Sequence, residues 1–168
     1  MLADRIPSDV VHGPEYTTGA YAWSPDGQQI AFTSGSGANQ DLHIVRTDGS
    51  SRDRAITSGP KSDCCAAWSP DGANVAFLRG DGPLLWDTDT TAQQPDRRGV
   101  PMIANADGSD ARELVDWTVS AAPVWSPDGT MLAVEGNKDG TISFVDVATG
   151  EIRSTLAGHS VAFEPLQP

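Results

Sequence analysis

Residues 135–146 carry oxygen-bearing side chains at the spacing of a twelve-residue calcium-binding loop. Such a loop takes ligands from positions one, three, five and twelve, with glycine at position six and an apolar residue at position eight. The candidate ligands are Glu135, Asn137, Asp139 and Asp146, with Gly140 and Ile142 at the other two positions. The loop would need flanking helices, whereas Met131 to Val134 and Ser143 to Val147 have strand patterns. The sequence therefore predicts that Asn137 to Gly140 form a hairpin turn, with calcium binding as the alternative.

Other residues that could support catalysis or bind metals are scattered along the chain. No Gly-x-Ser-x-Gly nucleophile motif occurs, and the run from Ser34 to Gly37 precedes a predicted strand rather than a phosphate-binding helix. The three histidines, His12, His43 and His159, share no ligand spacing. Asp87 and Asp89 could form a metal pair, but loop carboxylates are more often solvated. The sequence predicts no catalytic residue, no cofactor and no metal ion.

Cys64 and Cys65 are adjacent in the sequence, so they cannot close an ordinary disulfide loop. They come shortly before the second copy of a repeated pentapeptide. We expect buried free thiols at these positions, with a strained vicinal redox pair as the alternative.

Residues 83–99 form a long segment between two predicted strands and hold the candidates for partner contact. Long loops on a rigid scaffold often carry binding residues, and an exposed tryptophan beside charges would be a good anchor. The candidates are Trp86, Asp87, Asp89, Arg97 and Arg98. The alternative is an irregular insertion without a role, with Trp86 packed over the edge of a sheet.

A repeated pentapeptide indicates which turns and strands must position these residues. Trp-Ser-Pro-Asp-Gly occurs three times at intervals of 45 and 57 residues, close to the roughly 40–50 residues of a propeller blade. Its proline presets the second position of a type I turn, and Asp and Gly tolerate the conformations that follow. The motif residues expected to be structural are Trp23, Pro25, Asp26, Gly27, Trp68, Pro70, Asp71, Gly72, Trp125, Pro127, Asp128 and Gly129.

Each pentapeptide is followed by an apolar strand with the same order of side-chain sizes. The three copies are Ile30-Ala31-Phe32, Val75-Ala76-Phe77 and Leu132-Ala133-Val134. Alternation puts the large residues on one face and Ala on the other, so the strand must be covered on both faces. Third strands follow at Leu42 to Val45, Met102 to Ile103 and Ile142 to Val145, and fourth strands centre on Ile56, Leu114 and Ile152 to Leu156. Four strands per unit indicate an all-β fold built from propeller blades.

The turn, the apolar-Ala-apolar strand and a third strand ending in Asp48-Gly49 or Asp107-Gly108 resemble the TolB-type β-propeller repeat, a WD-repeat-like family. The resemblance covers nearly the whole chain in three in-register copies. It implies antiparallel four-stranded blades and the binding of partners at one face. The family includes periplasmic six-bladed propellers that engage proteins, and similar blades form the gating domain of prolyl-oligopeptidase-like enzymes.

The repeat predicts one partial propeller domain over residues 1–168. Blade one would cover 21–59, blade two 60–118 with the insertion at 83–99, and blade three 119–160. Residues 1–20 contain an echo of Asp53 to Ile56 and would be the last strand of a preceding blade, whereas 161–168 would begin a further blade. Propellers close with about 4–8 blades. We therefore expect either that two copies assemble into six blades or that the sequence is a fragment of a longer propeller.

Charge and hydropathy exclude several classes of function. The chain has 23 acidic and 11 basic side chains, a net charge of −12, and no cationic stripe for nucleic acid. No apolar run approaches the ~20 residues that span a bilayer, and the first residues lack a signal-peptide pattern. A periplasmic or extracellular location is implied by the family resemblance alone.

These features predict a non-enzymatic scaffold that binds a protein or peptide through loops on one face. The alternative is an accessory or gating propeller domain of a larger hydrolase, such as a prolyl-oligopeptidase-type peptidase. A carbohydrate-active propeller such as a lyase is a third hypothesis, for which the sequence offers no histidine cluster.

Overall fold

The computed structural model describes residues 21–36, 39–82, 84, 98–119, 121–136 and 140–157. Within these ranges the chain forms twelve strands, in three antiparallel sheets of four, and no helix. Sheet one contains β1 (Tyr21–Trp23), β2 (Gln29–Ser36), β3 (Asn39–Arg46) and β4 (Arg54–Ala55). Sheet two contains β5 (Ser62–Trp68), β6 (Asn74–Gly80), β7 (Val100–Asn105) and β8 (Arg112–Glu113). Sheet three contains β9 (Val124–Trp125), β10 (Met131–Glu135), β11 (Thr141–Asp146) and β12 (Ile152–Ala157).

The strands of each sheet lie side by side in chain order, which confirms the all-β prediction of four-stranded blades. We call the three sheets blades one, two and three. The segments 1–20 and 161–168, which were predicted to belong to further blades, lie outside the described residues.

The second strand of each blade is buried on both faces, as its side-chain pattern predicts. Ala31 pairs with Ala22 on one side and with Ile44 on the other, and Ala76 and Ala133 hold the same register in their blades. The large residues that flank the three alanines are buried too, namely Ile30, Phe32, Val75, Phe77, Leu132 and Val134. A strand with two covered faces belongs in the middle of a stack of sheets.

The core lies between successive blades. Ala31 and Ile44 of blade one pack in one cluster with Val75 and Phe77 of blade two. Ala76 of blade two packs in a second cluster with residues of blade three that include Leu132 and Val134. The small residue of one blade therefore faces the large residues of the next. A larger side chain at Ala76 would force the two sheets apart, and such overpacking typically costs about 1–3 kcal/mol.

A second set of contacts joins the outer strands. The guanidinium of Arg54 donates to the carbonyl oxygens of Asp107 at 2.7 Å and Ala106 at 3.3 Å. Arg112 donates in the same way to the carbonyl oxygen of Val147 in blade three. An arginine on the fourth strand of one blade thus satisfies turn carbonyls of the next blade, and both pairs of neighbouring blades are linked in this way.

Candidate partner-binding site

Each Trp-Ser-Pro-Asp-Gly copy forms the turn between the first and second strands of its blade. In blade one the Gly27 amide donates to the Ser24 carbonyl oxygen at 2.9 Å, and Gly27 has a φ of +68°. The Ser24 hydroxyl donates to the Asp26 carboxylate at 2.6 Å and accepts from the Gln29 amide at 2.9 Å. Blades two and three repeat both bonds through Ser69 and Ser126. The predicted turn is confirmed, and its polar side chains are used within the turn itself.

The three turns lie together at one end of the blades, which we call the turn end. A Cβ atom placed on Gly72 would lie 3.6 Å from Cδ of Pro25, and one on Gly129 would lie 3.6 Å from Cδ of Pro70. The turns of successive blades therefore adjoin each other. The pentapeptide turns are built from the repeat and have the same backbone hydrogen bond in the three described blades.

The aspartates of these turns are stabilised in their ionised form. In each turn the hydroxyl of the preceding serine and a backbone amide donate to the carboxylate. These bonds, of which the serine bond has the larger effect, hold the pKa below the usual value at Asp26, Asp71 and Asp128. The turn carboxylates are hydrogen-bond acceptors rather than proton donors at neutral pH. They account for part of the acidic charge of the chain as structural groups.

The tryptophan of the pentapeptide connects neighbouring blades. Nε1 of Trp68 donates to the carbonyl oxygen of Ala22 at 3.1 Å, and Nε1 of Trp125 donates to that of Ala67 at 2.9 Å. Both indoles are buried, with 7% and 8% of their surface exposed, whereas Trp23 of blade one is 54% exposed. In blades two and three the tryptophan of the motif is therefore part of the junction with the preceding blade.

The opposite end of the blades, which we call the loop end, contains Ser36 and Asn39 of blade one, Gly80 and Val100 of blade two, and Glu135 and Thr141 of blade three. Leu84, the second residue of the predicted insertion 83–99 of blade two, is buried in the same hydrophobic cluster as Cys64 and Leu78. The Leu84 amide donates to Oε1 of Gln40 at 3.0 Å. Gln40 belongs to blade one and is itself buried. The start of the insertion is thus fixed by a side chain of the neighbouring blade.

The end of the insertion is fixed by backbone pairing. Gly99 and Val119 exchange two hydrogen bonds of 3.0 and 2.9 Å, and Val119 also forms a bridge with Gly136 of blade three. Gly99 must be glycine because a Cβ there would lie 2.9 Å from the Leu78 side chain and 3.1 Å from the Arg79 amide. The insertion of blade two therefore has one end attached to blade one and the other linked to blade three.

A buried ion pair lies beside the insertion at the loop end. Asp63 on β5 faces Arg79 on β6, with Nε to Oδ1 at 2.7 Å and the second guanidinium nitrogen to Oδ2 at 2.8 Å. The Asp63 side chain is only 1% exposed. The pKa of nearby Asp41 is raised, mainly by desolvation and to a smaller extent by the charge of Asp63. The pKa of Arg79 is raised mainly by its hydrogen bond to Asp63. The pair fixes the loop end rather than offering a free charge.

Cys64 and Cys65 form a disulfide, so the expectation of buried free thiols is wrong. The bond between adjacent cysteines agrees with the vicinal alternative, whose redox role stays a prediction. The pairing of β5 with β6 shifts register between Cys64 and Ala67, so this stretch of β5 leaves the regular ladder. Cys65 adopts a φ of +67°, which is uncommon for a side chain other than glycine. The bulge allows a backbone conformation at Cys64 and Cys65 that a regular strand does not have.

The partner-contact candidates lie mostly outside the described residues. Trp86, Asp87, Asp89 and Arg97 belong to that group, and Arg98 is described as exposed directly before Gly99. The residues that fix the insertion, Gln40, Leu84 and Val119, were not predicted. No spacing in the sequence points to them, because they act across blades.

The calcium candidates do not converge in the described part of the chain. Glu135 pairs with Ile142, whereas Asp146 pairs with Met131 at the other end of the same hairpin. Four residue steps along the strand separate the backbone positions of these two residues by about 13 Å. Asp146 accepts instead from Arg153 at 2.8 Å and from the Thr149 amide at 3.0 Å. Asn137 and Asp139 lie outside the described residues.

The remaining candidate metal ligands do not form a cluster in the described ranges. The described residues contain no group of three or more His, Cys, Asp and Glu side chains that could hold a metal ion. His43 contacts Asp53 at 2.8 Å and lies against the ring of Phe32, whereas His12 and His159 are outside the description. No helix in the described ranges is long and apolar enough to cross a membrane.

Comparison with solved structures identifies the architecture. The chain is similar to TolB from Acinetobacter baumannii, with 20% identity, a TM-score of 0.57, and coverage of 85% of this chain and 33% of that one. A TolB-type protein from Agrobacterium tumefaciens is 18% identical, with a TM-score of 0.58. That match covers 86% of this chain and 52% of the other. The β-propeller domain of the Trilobed protease from Pyrococcus furiosus is 15% identical, with a TM-score of 0.51. That match covers 83% of this chain and 43% of the other. No family model and no curated protein matches the chain.

These likenesses show the fold alone, and they agree with the three sheets described above. The protein contains blades of a β-propeller, and its structural neighbours are TolB-like and other propeller proteins. The chain spans about a third to a half of the length of these neighbours. Propellers host unrelated functions, so the fold does not choose between a scaffold and a domain of an enzyme.

Proposed function

We propose that this chain is a TolB-like propeller unit without enzymatic activity, and that it binds a protein or peptide through the loop end of blade two. The observation that carries the proposal is the attachment of the insertion at both ends. Leu84 is bonded to Gln40 of blade one, and Gly99 is paired with Val119, which bridges to blade three. No other connection of the described blades is both this long and held by two neighbours.

Fixed ends favour binding for a physical reason. A loop whose ends are already placed loses less conformational freedom when a partner orders it, and less of the contact energy is then spent on ordering. Trp86, Asp87, Asp89 and Arg97 lie in sequence between the two attachment points. An aromatic side chain flanked by both signs of charge is the composition of a protein-contact hot spot.

The disulfide supports the proposed location. Disulfides persist in the periplasm and outside the cell, whereas cytosolic thiols are kept reduced. Cys64 and Cys65 are bonded in a buried part of β5. A periplasmic or extracellular location is consistent with this bond and with the TolB-type repeat.

The proposal can be tested without a known partner. Peptides selected from a random library against the whole chain would be measured against three forms: the wild type, Trp86→Ala, and a variant in which residues 85–97 are replaced by a short Gly-Ser linker between Leu84 and Arg98. We expect Trp86→Ala to weaken binding about 30-fold or more, as for a hot-spot tryptophan. Gln28→Ala, on the exposed surface of the turn end, is the matched control and should change nothing. Selected peptides that bind the linker variant with unchanged affinity would remove the loop end from consideration.

A gating or accessory domain of a larger hydrolase is the second candidate. It is favoured by the likeness to the propeller domain of a protease. The coding sequence next to this chain distinguishes the two, because a neighbouring α/β-hydrolase domain with a nucleophile elbow would support the enzyme-associated role. Further blades without such a domain would support the scaffold.

A further inference from the structure

Six Asp-Gly pairs lie within the described residues, and one of them differs from the other five. An Asp-Gly peptide bond is open to isomerisation because no β-carbon of the glycine hinders its nitrogen from reaching the aspartate side-chain carbon. The reaction depends on the freedom of two groups, the glycine amide and the aspartate carboxyl. The six pairs are Asp26-Gly27, Asp48-Gly49, Asp71-Gly72, Asp81-Gly82, Asp107-Gly108 and Asp128-Gly129.

Five of the pairs hold the glycine amide in a turn hydrogen bond. In each of them the glycine nitrogen donates to the carbonyl oxygen three residues earlier, at 2.8 to 3.2 Å. These glycines have φ values between +68° and +90°. The nitrogen of such a glycine reaches the preceding side chain only after the turn opens. The five pairs are therefore protected at the attacking atom.

The carboxylates of the same five pairs are also held. The amide two residues after each aspartate donates to its Oδ1 at 2.9 or 3.0 Å. The pKa of all five carboxyl groups is lowered, mainly by a serine hydroxyl and next by this amide. An ionised carboxylate is a poor electrophile, because it cannot release one of its oxygens as water. The five pairs are thus protected at the attacked atom as well.

Asp81-Gly82, which directly follows β6, lacks both kinds of protection. Among the described residues no carbonyl accepts a hydrogen bond from the Gly82 amide. The Asp81 side chain is 88% exposed, and its carboxylate contacts Nζ of the half-exposed Lys61 at 3.2 Å. An exposed ion pair restrains a side chain only weakly. A Cβ on Gly82 would meet no atom within 4 Å, so the neighbouring residues leave room for the pair to rearrange.

We propose that Asp81-Gly82 is a site of spontaneous isomerisation in the folded protein. The Gly82 nitrogen forms a bond to Cγ of the Asp81 carboxyl group in its acid form, and one molecule of water leaves. Water then adds to the main-chain carbonyl carbon of the resulting cyclic imide and breaks the bond between this carbon and the Gly82 nitrogen. The product has the mass of the starting chain and one additional carbon in its backbone. No oxidant, reductant or cofactor takes part.

The modified bond would lie at the base of the blade-two insertion. Leu84, three residues after Asp81, donates through its amide to Gln40 of blade one. An additional backbone carbon before this attachment changes the path of the chain between β6 and Leu84. The change is covalent and does not depend on a binding partner.

The test incubates the whole chain at neutral pH and 37 °C and follows isomerisation in two tryptic peptides. Peptide 80–97 contains Asp81-Gly82, and peptide 62–79 contains Asp71-Gly72 as the internal control. Isoaspartate is located by fragmentation in a mass spectrometer and quantified by methylation with an isoaspartyl methyltransferase. Asp71 must first break one hydrogen bond at the Gly72 amide and one at its carboxylate. Each bond corresponds to about 5-fold, so Asp81 should react about 20-fold faster or more.

Unfolding and two variants show whether the structure selects the site. In guanidinium chloride the two pairs should isomerise at similar rates, because both are then free. Gly82→Ala should slow the reaction at Asp81, since a β-carbon hinders the nitrogen, and Ser69→Ala should speed it at Asp71 by removing the hydroxyl bond. No isoaspartate at position 81, or equal rates at Asp71 and Asp81 in the folded chain, would overturn the proposal. A difference that persists in guanidinium chloride would overturn it too, because the local sequence would then select the site.

Discussion

The indole nitrogen of Trp125 donates a hydrogen bond of 2.9 Å to the carbonyl oxygen of Ala67, and this bond joins blade three to the first strand of blade two. The side chain is 8% exposed, so the bond is made in a buried contact. Trp125→Phe keeps an aromatic ring but removes the donor and part of the packed surface. We expect a loss of about 2 kcal/mol in the free energy of unfolding, measured by urea denaturation.

The matched control for this prediction is Trp23→Phe. It makes the same chemical change at the same position of the repeat, but on a side chain that is 54% exposed. It should alter the free energy of unfolding by less than about 0.5 kcal/mol. Equal losses in the two variants would show that the tryptophans stabilise their own turns rather than the contact between blades.

The ion pair between Asp63 and Arg79 gives a second prediction. Arg79→Met leaves a buried carboxylate without its partner, which typically costs about 3–5 kcal/mol. The double variant Asp63→Asn/Arg79→Met removes the stranded charge and should recover at least half of that loss. Chemical denaturation at pH 7 measures both. The interpretation fails if Arg79→Met lies within about 1 kcal/mol of the wild type.

Acid should destabilise the protein through the aspartates of the repeated turn. The pKa of Asp26, Asp71 and Asp128 is lowered in the folded state, first by the serine hydroxyl, so each favours folding above the unfolded value of 3.8. That contribution is lost as pH falls below 3.8 through the folded values. Asp146, lowered to about 2 by Arg153 and the Thr149 amide, acts in the same direction.

Thermal unfolding at pH 5 and pH 3 measures this effect. The triple variant Asp26→Asn/Asp71→Asn/Asp128→Asn keeps a side-chain acceptor in each turn but cannot titrate there. Its Tm should therefore fall less between the two pH values than that of the wild type. If both proteins lose the same number of degrees, the turns do not contribute to the acid sensitivity.

The disulfide predicts a simple chemical result. Unfolded protein treated with iodoacetamide before reduction should carry no modified cysteine, and after reduction it should carry two, as measured by mass spectrometry. A Cys64→Ala/Cys65→Gly variant should unfold in one transition with a similar Tm, because glycine adopts the positive φ of position 65 without strain. Thiols that react before reduction would contradict the bond.

The strands of the blades could be predicted well because the same local sequence pattern occurs three times. The order of a proline turn, a large-small-large strand and a turn at Asp48-Gly49 or Asp107-Gly108 is a local pattern with a fixed period. Burial of both faces followed from side-chain alternation alone. The structure confirms these features in each described blade.

The loop end was less predictable because its contacts depend on irregular or distant pairing. Continuing the register of Trp68 with Val75 back along β5 would place Asp63 opposite Gly80, and only the bulge after Cys64 brings it opposite Arg79. The same bulge permits the disulfide. The bond between Gln40 and the Leu84 amide joins residues of different blades and leaves no periodic signal in the sequence.

Hydrogen exchange of the whole chain with and without a selected peptide tests the proposed binding site most directly. We predict that the peptide slows exchange of amides in residues 80–99 and in the adjoining 36–40 and 119–136 segments of the loop end. The turns at 24–27, 69–72 and 126–129 should exchange at the same rate in both samples. Slowed exchange confined to those turns, with residues 80–99 unchanged, would contradict the account.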